Sequence, residues 1–141
     1  MTEQAIRPKV GVAVILINKE GKILLGLRKG SHGEGTWAFP GGHLEIGETP
    51  EDCIRRELLE EVGLHSLRFI PNVHYYTNDI FSEEKHYITL YLICKHFEGT
   101  PEIKEKNKCE AWKWFCWDEL PKPLFLCIQN LIKDKFDPFK Y

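Results

Sequence analysis

The chain has 141 residues, 43% hydrophobic and 28% charged, which is the composition of an ordinary globular protein with length for one well-filled core. Its net charge of −2, from 19 basic and 21 acidic side chains, argues against a general nucleic-acid or membrane-surface binder. It leaves a phosphorylated substrate open, because a bound cation supplies positive charge locally.

Five cysteines (Cys53, Cys94, Cys109, Cys116 and Cys127) are scattered without a CxxC pair, which suits neither a disulfide framework nor a structural zinc site. The N-terminal MTEQAIRPKVG has no apolar signal core, and no run reaches membrane-spanning length. The expected setting is reduced and cytoplasmic.

In chain order, VGVAVILI (Val10–Ile17) is β-branched and almost wholly apolar, which predicts a strand covered on both faces. Asn18–Gly21 predicts a turn, and KILLGLRK (Lys22–Lys29) a partner strand. GSHGEGTWAFPGG follows, a segment whose glycines let backbone approach a ligand closely. A helix is predicted from Pro50 to Val62, with Thr49 as N-cap, Pro50 in the first position, acids in the first turn and Gly63 as the stop. Strands are predicted near Leu67–Ile80, His86–Phe97 and Ala111–Trp117. A last helix is predicted over Leu124–Phe136, with apolar residues at 124, 128, 131 and 132. Strands on both sides of a central helix, with a closing helix, point to an α/β fold with a mixed sheet between helical layers and one domain over 1–141.

The central helix carries an electrostatic oddity. Ile54, Leu58 and Val62 form one apolar stripe, while Glu57, Glu60 and Glu61 crowd a neighbouring one. Like charges at i,i+4 cost an exposed helix roughly 0.2–0.5 kcal/mol per pair. A hard, oxygen-rich cluster of this kind suits Mg²⁺ or Mn²⁺, which turns repulsion into affinity. The plainer reading, a solvated acidic face, loses weight because the cluster follows FPGGHLEIGE with its further acids Glu45 and Glu48.

From Gly42 the pattern runs Gly, five residues, Glu48, seven residues, Arg56-Glu57-Leu58, one residue, Glu60-Glu61, one residue, Gly63-Leu64. It resembles the Nudix box at every fixed position, over residues 42–64, and the preceding WAFP is similar to the family's as well. The resemblance implies an α/β/α sandwich with a central mixed β-sheet and a loop–helix–loop box. It implies hydrolysis by water at a phosphorus of a pyrophosphate linkage, with Mg²⁺ (or Mn²⁺) as cofactor. By this resemblance Glu57, Glu60 and Glu61 are metal ligands, with the carbonyl around Gly42 completing the site. Glu57 and Glu61 are the expected primary ligands. Glu60 stays open between a further ligand and the base that deprotonates the water. Arg56 is expected to pair with Glu48 and hold the loop against the helix, whereas Arg55 has no fixed place in the box and reads as a solvated or general electrostatic residue. Glu45 is either a ligand to a second ion or a surface turn acid.

Outside the box the chain is similar to nucleoside-triphosphate diphosphatases of the mammalian type acting on oxidised and thiopurine deoxyguanosine triphosphates. LLGLRKGSHGEG, the stretch Trp112–Pro121 and the ending FDPFK carry this likeness. It implies Arg28 at the triphosphate, Phe39 and Gly41 beside the base, and Phe125 with Leu126 closing over the base. His43, next to Gly42 in the substrate-side loop, is either a phosphate contact or a plain loop histidine. Leu126 departs from the tryptophan of that type, which removes stacking surface. The resulting expectation is hydrolysis of nucleoside triphosphates, including oxidised or modified dGTP, to monophosphate and pyrophosphate. The resemblance further implies a small-molecule nucleotide substrate, no nucleic-acid or membrane partner, and a homodimer as the expected assembly. An ADP-ribose or nucleotide-sugar hydrolase is the alternative enzyme, and a catalytically silent Nudix-fold nucleotide-binding module the alternative of another class. The absence of a basic surface and of an RNA-binding extension disfavours RNA decapping.

Overall fold

In the computed structural model, residues 6–30 and 32–141 are described. The start of MTEQAIRPKVG and Ser31 of LLGLRKGSHGEG lie outside them. Strand β1 (Lys9–Leu16) pairs in parallel with the long β7 (His86–Glu98) and antiparallel with β4 (Gly41–His43). On the far edge of β7, β6 (Tyr75–Ile80) takes residues 86–91 and β5 (His65–Phe69) the C-terminal half. A second, antiparallel sheet runs β3 (Trp37–Ala38), β2 (Ile23–Arg28), β8 (Cys109–Phe115).

The apolar run of β1 explains its central place. Val12, Val14 and Leu16 face the core under helix α1 (Pro50–Glu61), and Ala13, Ile15 and Ile17 face the core under helix α2 (Leu126–Lys133). Period-2 alternation thus buries both faces of one strand between two helical layers. The α/β/α arrangement expected from the sequence is present.

The predicted hairpin partner is different. Asn18 Oδ1 accepts from the amides of Glu20 and Lys22 and closes the turn, but only the bridge between Ile17 and Ile23 joins the two arms. Beyond it β2 departs into the second sheet, because the edges of β1 are already taken by β4 and β7. The stretch expected as one strand over Leu67–Ile80 is divided into β5 and β6 around Asn72, which has φ +76°.

Helix α1 starts at the expected cap, with Thr49 Oγ1 accepting from the Asp52 amide at 3.1 Å. Ile54, Leu58 and Val62 are fully buried. Arg55 is exposed, as expected, and it also donates to the Leu67 carbonyl at 2.7 Å and lies over the Phe69 ring, tying α1 to β5. Helix α2 is shorter than predicted, with Phe125 at its N-cap. Ile128 and Leu131 are buried, whereas Ile132, expected on the inner face, is exposed.

Candidate active site

One cavity of 650 Å³ opens between the two sheets, within the range of small-ligand sites. The two box glycines play different parts at its floor. Gly41 lies against β1 so closely that a Cβ there would fall 2.1 Å from the Val12 carbonyl oxygen. At Gly42 the Cβ would fall 2.3 Å from the Glu57 carboxyl carbon, so the missing side chain is the seat of that carboxylate.

Glu57 and Glu61 both line the cavity, one helical turn apart on α1. Burial, then the adjoining Glu57 carboxylate, push the Glu61 carboxyl well above the usual carboxylate range. A cation beside the pair would offset the cost of the ionised form, and a divalent ion suits two adjacent carboxylates. Mg²⁺ is commonly held by one or two carboxylates with waters and substrate phosphates, so two hard oxygen donors beside the Gly42 backbone fit it. No ready-made group of three or more His, Cys, Asp or Glu side chains surrounds a metal point among the described residues. Glu60, the third box glutamate, turns outward; its side chain is 57% exposed and 3.9 Å from an Arg56 nitrogen.

Arg56 braces the box. Its Nε and Nη2 donate to the two Glu48 oxygens at 2.8 and 2.9 Å, Nη1 donates to Glu57 at 2.6 Å, and Nη2 reaches the His43 carbonyl at 3.2 Å. These bonds, chiefly those from Arg56, hold the Glu48 carboxyl down at about 2. Neither Arg56 nor Glu48 borders the cavity; both act through Glu57 and the loop.

Of the residues expected at substrate, Arg28, Phe39, Gly41, Gly42, His43 and Phe125 line the cavity, as does Glu45, while Leu126 does not. Arg28 stacks over the Phe125 ring at 4.6 Å, and its Nε donates to the His32 carbonyl at 2.9 Å. His43 pairs with the Tyr87 hydroxyl at 3.2 Å.

Several cavity residues escaped the sequence reading. His32, Phe81, Tyr87 and Phe125 form one aromatic cluster, with His32 4.7 Å from Phe81 and 5.3 Å from Phe125 between ring centroids. Burial, followed by the positive charges of Lys85 and Arg28, lowers the His32 pKa to about 4. Glu105 and Lys108, 3.2 Å apart in the loop before β8, add a further carboxylate and ammonium. A signal existed for β7 alone, where Thr89 interrupts an apolar run at the i+2 position from Tyr87. The loop residues come to the site only through the pairing of β2 with β8.

The NUDIX domain pattern matches residues 7–134. The chain belongs to this family. An RNA pyrophosphohydrolase of Yersinia pestis (strain Pestoides F) is 30% identical over 128 residues, covering 79% of this chain and 70% of the relative. The crystal structure of a MutT NUDIX hydrolase from Burkholderia pseudomallei superposes with a TM-score of 0.79 at 28% identity, covering 89% of this chain and 98% of that one. The MutT protein of Methanosarcina mazei Go1 shares the fold, with a TM-score of 0.78 at 18% identity over 93% and 95% of the chains. This Nudix chain is a pyrophosphohydrolase. Nudix hydrolases generally use divalent ions, usually Mg²⁺, in keeping with the fit of Glu57 and Glu61.

Proposed function

We propose that this Nudix chain is an Mg²⁺-dependent nucleoside-triphosphate diphosphatase, releasing monophosphate and pyrophosphate, with guanine-type triphosphates, including oxidised ones, as its substrates. The observation that carries the reading is that one cavity unites the Glu57–Glu61 pair, the cations Arg28, Lys29 and Lys108, and the aromatic set Phe81, Tyr87 and Phe125. A nucleoside triphosphate needs all three: a seat for a divalent ion, positive charge for the phosphates and π-faces for the base.

Glu57, Glu61 and the Gly42 backbone would hold the ion, which when bound neutralises polyphosphate charge and lowers the pKa of water. Arg28 meets the phosphates while its plane rests on Phe125. Arg56 and Glu48 keep Glu57 seated over Gly42, and Glu105 supplies a further carboxylate to the cavity near Glu61, as Glu60 turns outward. The resemblance to the oxidised-nucleotide enzymes extends the proposal to a cytoplasmic homodimer acting on a small-molecule nucleotide.

A second reading, pyrophosphohydrolase action on RNA, is favoured by the similarity to the Yersinia RNA pyrophosphohydrolase. A substrate panel in ¹⁸O-labelled water separates them: dGTP, 8-oxo-dGTP, ADP-ribose, a nucleotide sugar and 5′-triphosphate RNA. Pyrophosphate release from the deoxyguanosine triphosphates supports the proposal, and the label reports the attacked phosphorus. Turnover of RNA or ADP-ribose alone would sink it.

A further inference from the structure

Beside the aromatic walls lies a polar network that the proposed chemistry leaves unused. Asp79 on β6 is 0% exposed, and its carboxylate is met by three neutral donors. Thr89 Oγ1 donates to Oδ2 at 2.5 Å, Thr77 Oγ1 donates to the same oxygen at 3.1 Å, and Asn130 Nδ2 on α2 donates to Oδ1 at 2.7 Å. A hydroxyl has a single proton, and a carboxylate only accepts. Thr77 also pairs with the Tyr91 hydroxyl at 2.7 Å, and that hydroxyl donates to the Cys127 carbonyl at 3.3 Å. The single proton of Thr89 is committed to Asp79.

What Thr89 has left is lone pairs. Its partner across the ladder is Gly11, where a Cβ would come within 3.8 Å of Thr89 Oγ1. Thr89 is 8% exposed, and both residues border the cavity, with no Cβ at Gly11 beside the hydroxyl.

The geometry points to Thr89 Oγ1 as a hydrogen-bond acceptor that reads an N–H on the bound base, with Asp79 as the positioning residue that fixes this polarity. The inference deepens the nucleotide reading given above and rests on it for the ligand's being a base. A guanine-type edge supplies a ring N1–H and an exocyclic amino group. Guanine thus offers two adjacent donors, whereas adenine offers one amino group beside the bare acceptor N1, which sets acceptor against acceptor where N1 meets Thr89.

One isosteric change inverts the polarity. In Asp79→Asn, the amide oxygen keeps the bond from Asn130 and the NH₂ replaces Oδ2. Its two protons go to Thr77 and Thr89, and the Thr89 proton turns to the cavity.

The test compares wild type, Asp79→Asn, Thr89→Val and Thr89→Ser with Mg²⁺ present. It measures kcat/KM for dGTP and dATP, dissociation constants for dGMP and dAMP, and thermal melts. Asp79→Asn and Thr89→Val each lower the dGTP:dATP ratio by about tenfold or more, the size of a lost buried hydrogen bond, and Thr89→Ser retains it. Asp79→Asn in addition gains affinity for dAMP, which a merely structural role would not produce. Unchanged ratios in the folded variants, or no base preference in wild type, overturn the inference. If Asp79→Asn does not melt cooperatively, the Thr89→Val and Thr89→Ser pair decides. If neither triphosphate is hydrolysed, the functional reading fails, while the dGMP:dAMP binding ratio still decides the polarity of Thr89.

Discussion

Glu61 sits in the cavity under opposed demands. As a buried acid beside Glu57 its pKa is raised, so its charged form costs the folded state free energy whenever pH exceeds the unfolded value of 4.5. Glu61→Gln removes that cost. At neutral pH and without metal the variant is expected to melt a few degrees above wild type, at roughly 2–8 °C per kcal/mol, and the gap closes as pH falls toward 4.5. Mg²⁺ should raise the melting temperature of wild type and not of the variant, and turnover should fall by orders of magnitude. Calorimetry with and without Mg²⁺ checks all three, and a variant that gains no stability refutes the assignment of strain to Glu61. Glu48 titrates in the opposite sense. Its pKa is depressed from 4.5 to about 2, so its contribution is present above pH 4.5 and is lost as pH falls from there toward 2. Arg56→Met should flatten that acid limb of an unfolding titration; a superimposable limb would show that the bidentate contact contributes nothing.

At the level of elements, α1 was the most legible, because its geometry follows from local chemistry, whereas β4 lies in a stretch read only as a glycine-rich loop. Thr49, Pro50 and Gly63 mark the ends of α1, and the stripe Ile54–Leu58–Val62 marks its buried face. Where Glu57 and Glu60 point was harder to read: they are three residues apart on one helix, yet one is seated on Gly42 and the other meets solvent. The pairing of β2 was not legible at all. Turn chemistry at Asn18–Gly21 is local, but the competition for the edges of β1 is settled by β7, about 70 residues downstream. The adjacent glycines of β4 offer a test. Gly42→Ala displaces a flexible carboxylate, so it should cost turnover about tenfold or more with little loss of stability. Gly41→Ala meets backbone at Val12 and should destabilise by about 1–3 kcal/mol. Equal melting temperatures for the two variants would remove the distinction.

The whole molecule is needed to make the site, since no single element carries enough of it. Arg28 comes from the second sheet, Tyr87 and Thr89 from the first, the carboxylates from α1, and Phe125 from the start of α2. Phe125 reaches its place by tertiary bonds: its amide donates to the Trp37 carbonyl at 2.9 Å, and Gly33 has no Cβ, which would lie 2.6 Å from the Phe125 ring. Helix α2 therefore delivers an aromatic wall to a cavity whose acidic wall belongs to α1, and the two should be separable in function. Phe125→Ala is expected to raise KM for a nucleoside triphosphate by about fivefold or more, from a lost stacking contact of about 1 kcal/mol with its accompanying burial. The rise of melting temperature on adding Mg²⁺ should stay as in wild type, because Glu57 and Glu61 are untouched. Steady-state kinetics paired with melts in Mg²⁺ measures both effects on one sample. A variant that loses the Mg²⁺ response along with substrate affinity would mean that the aromatic and acidic walls form one cooperative unit.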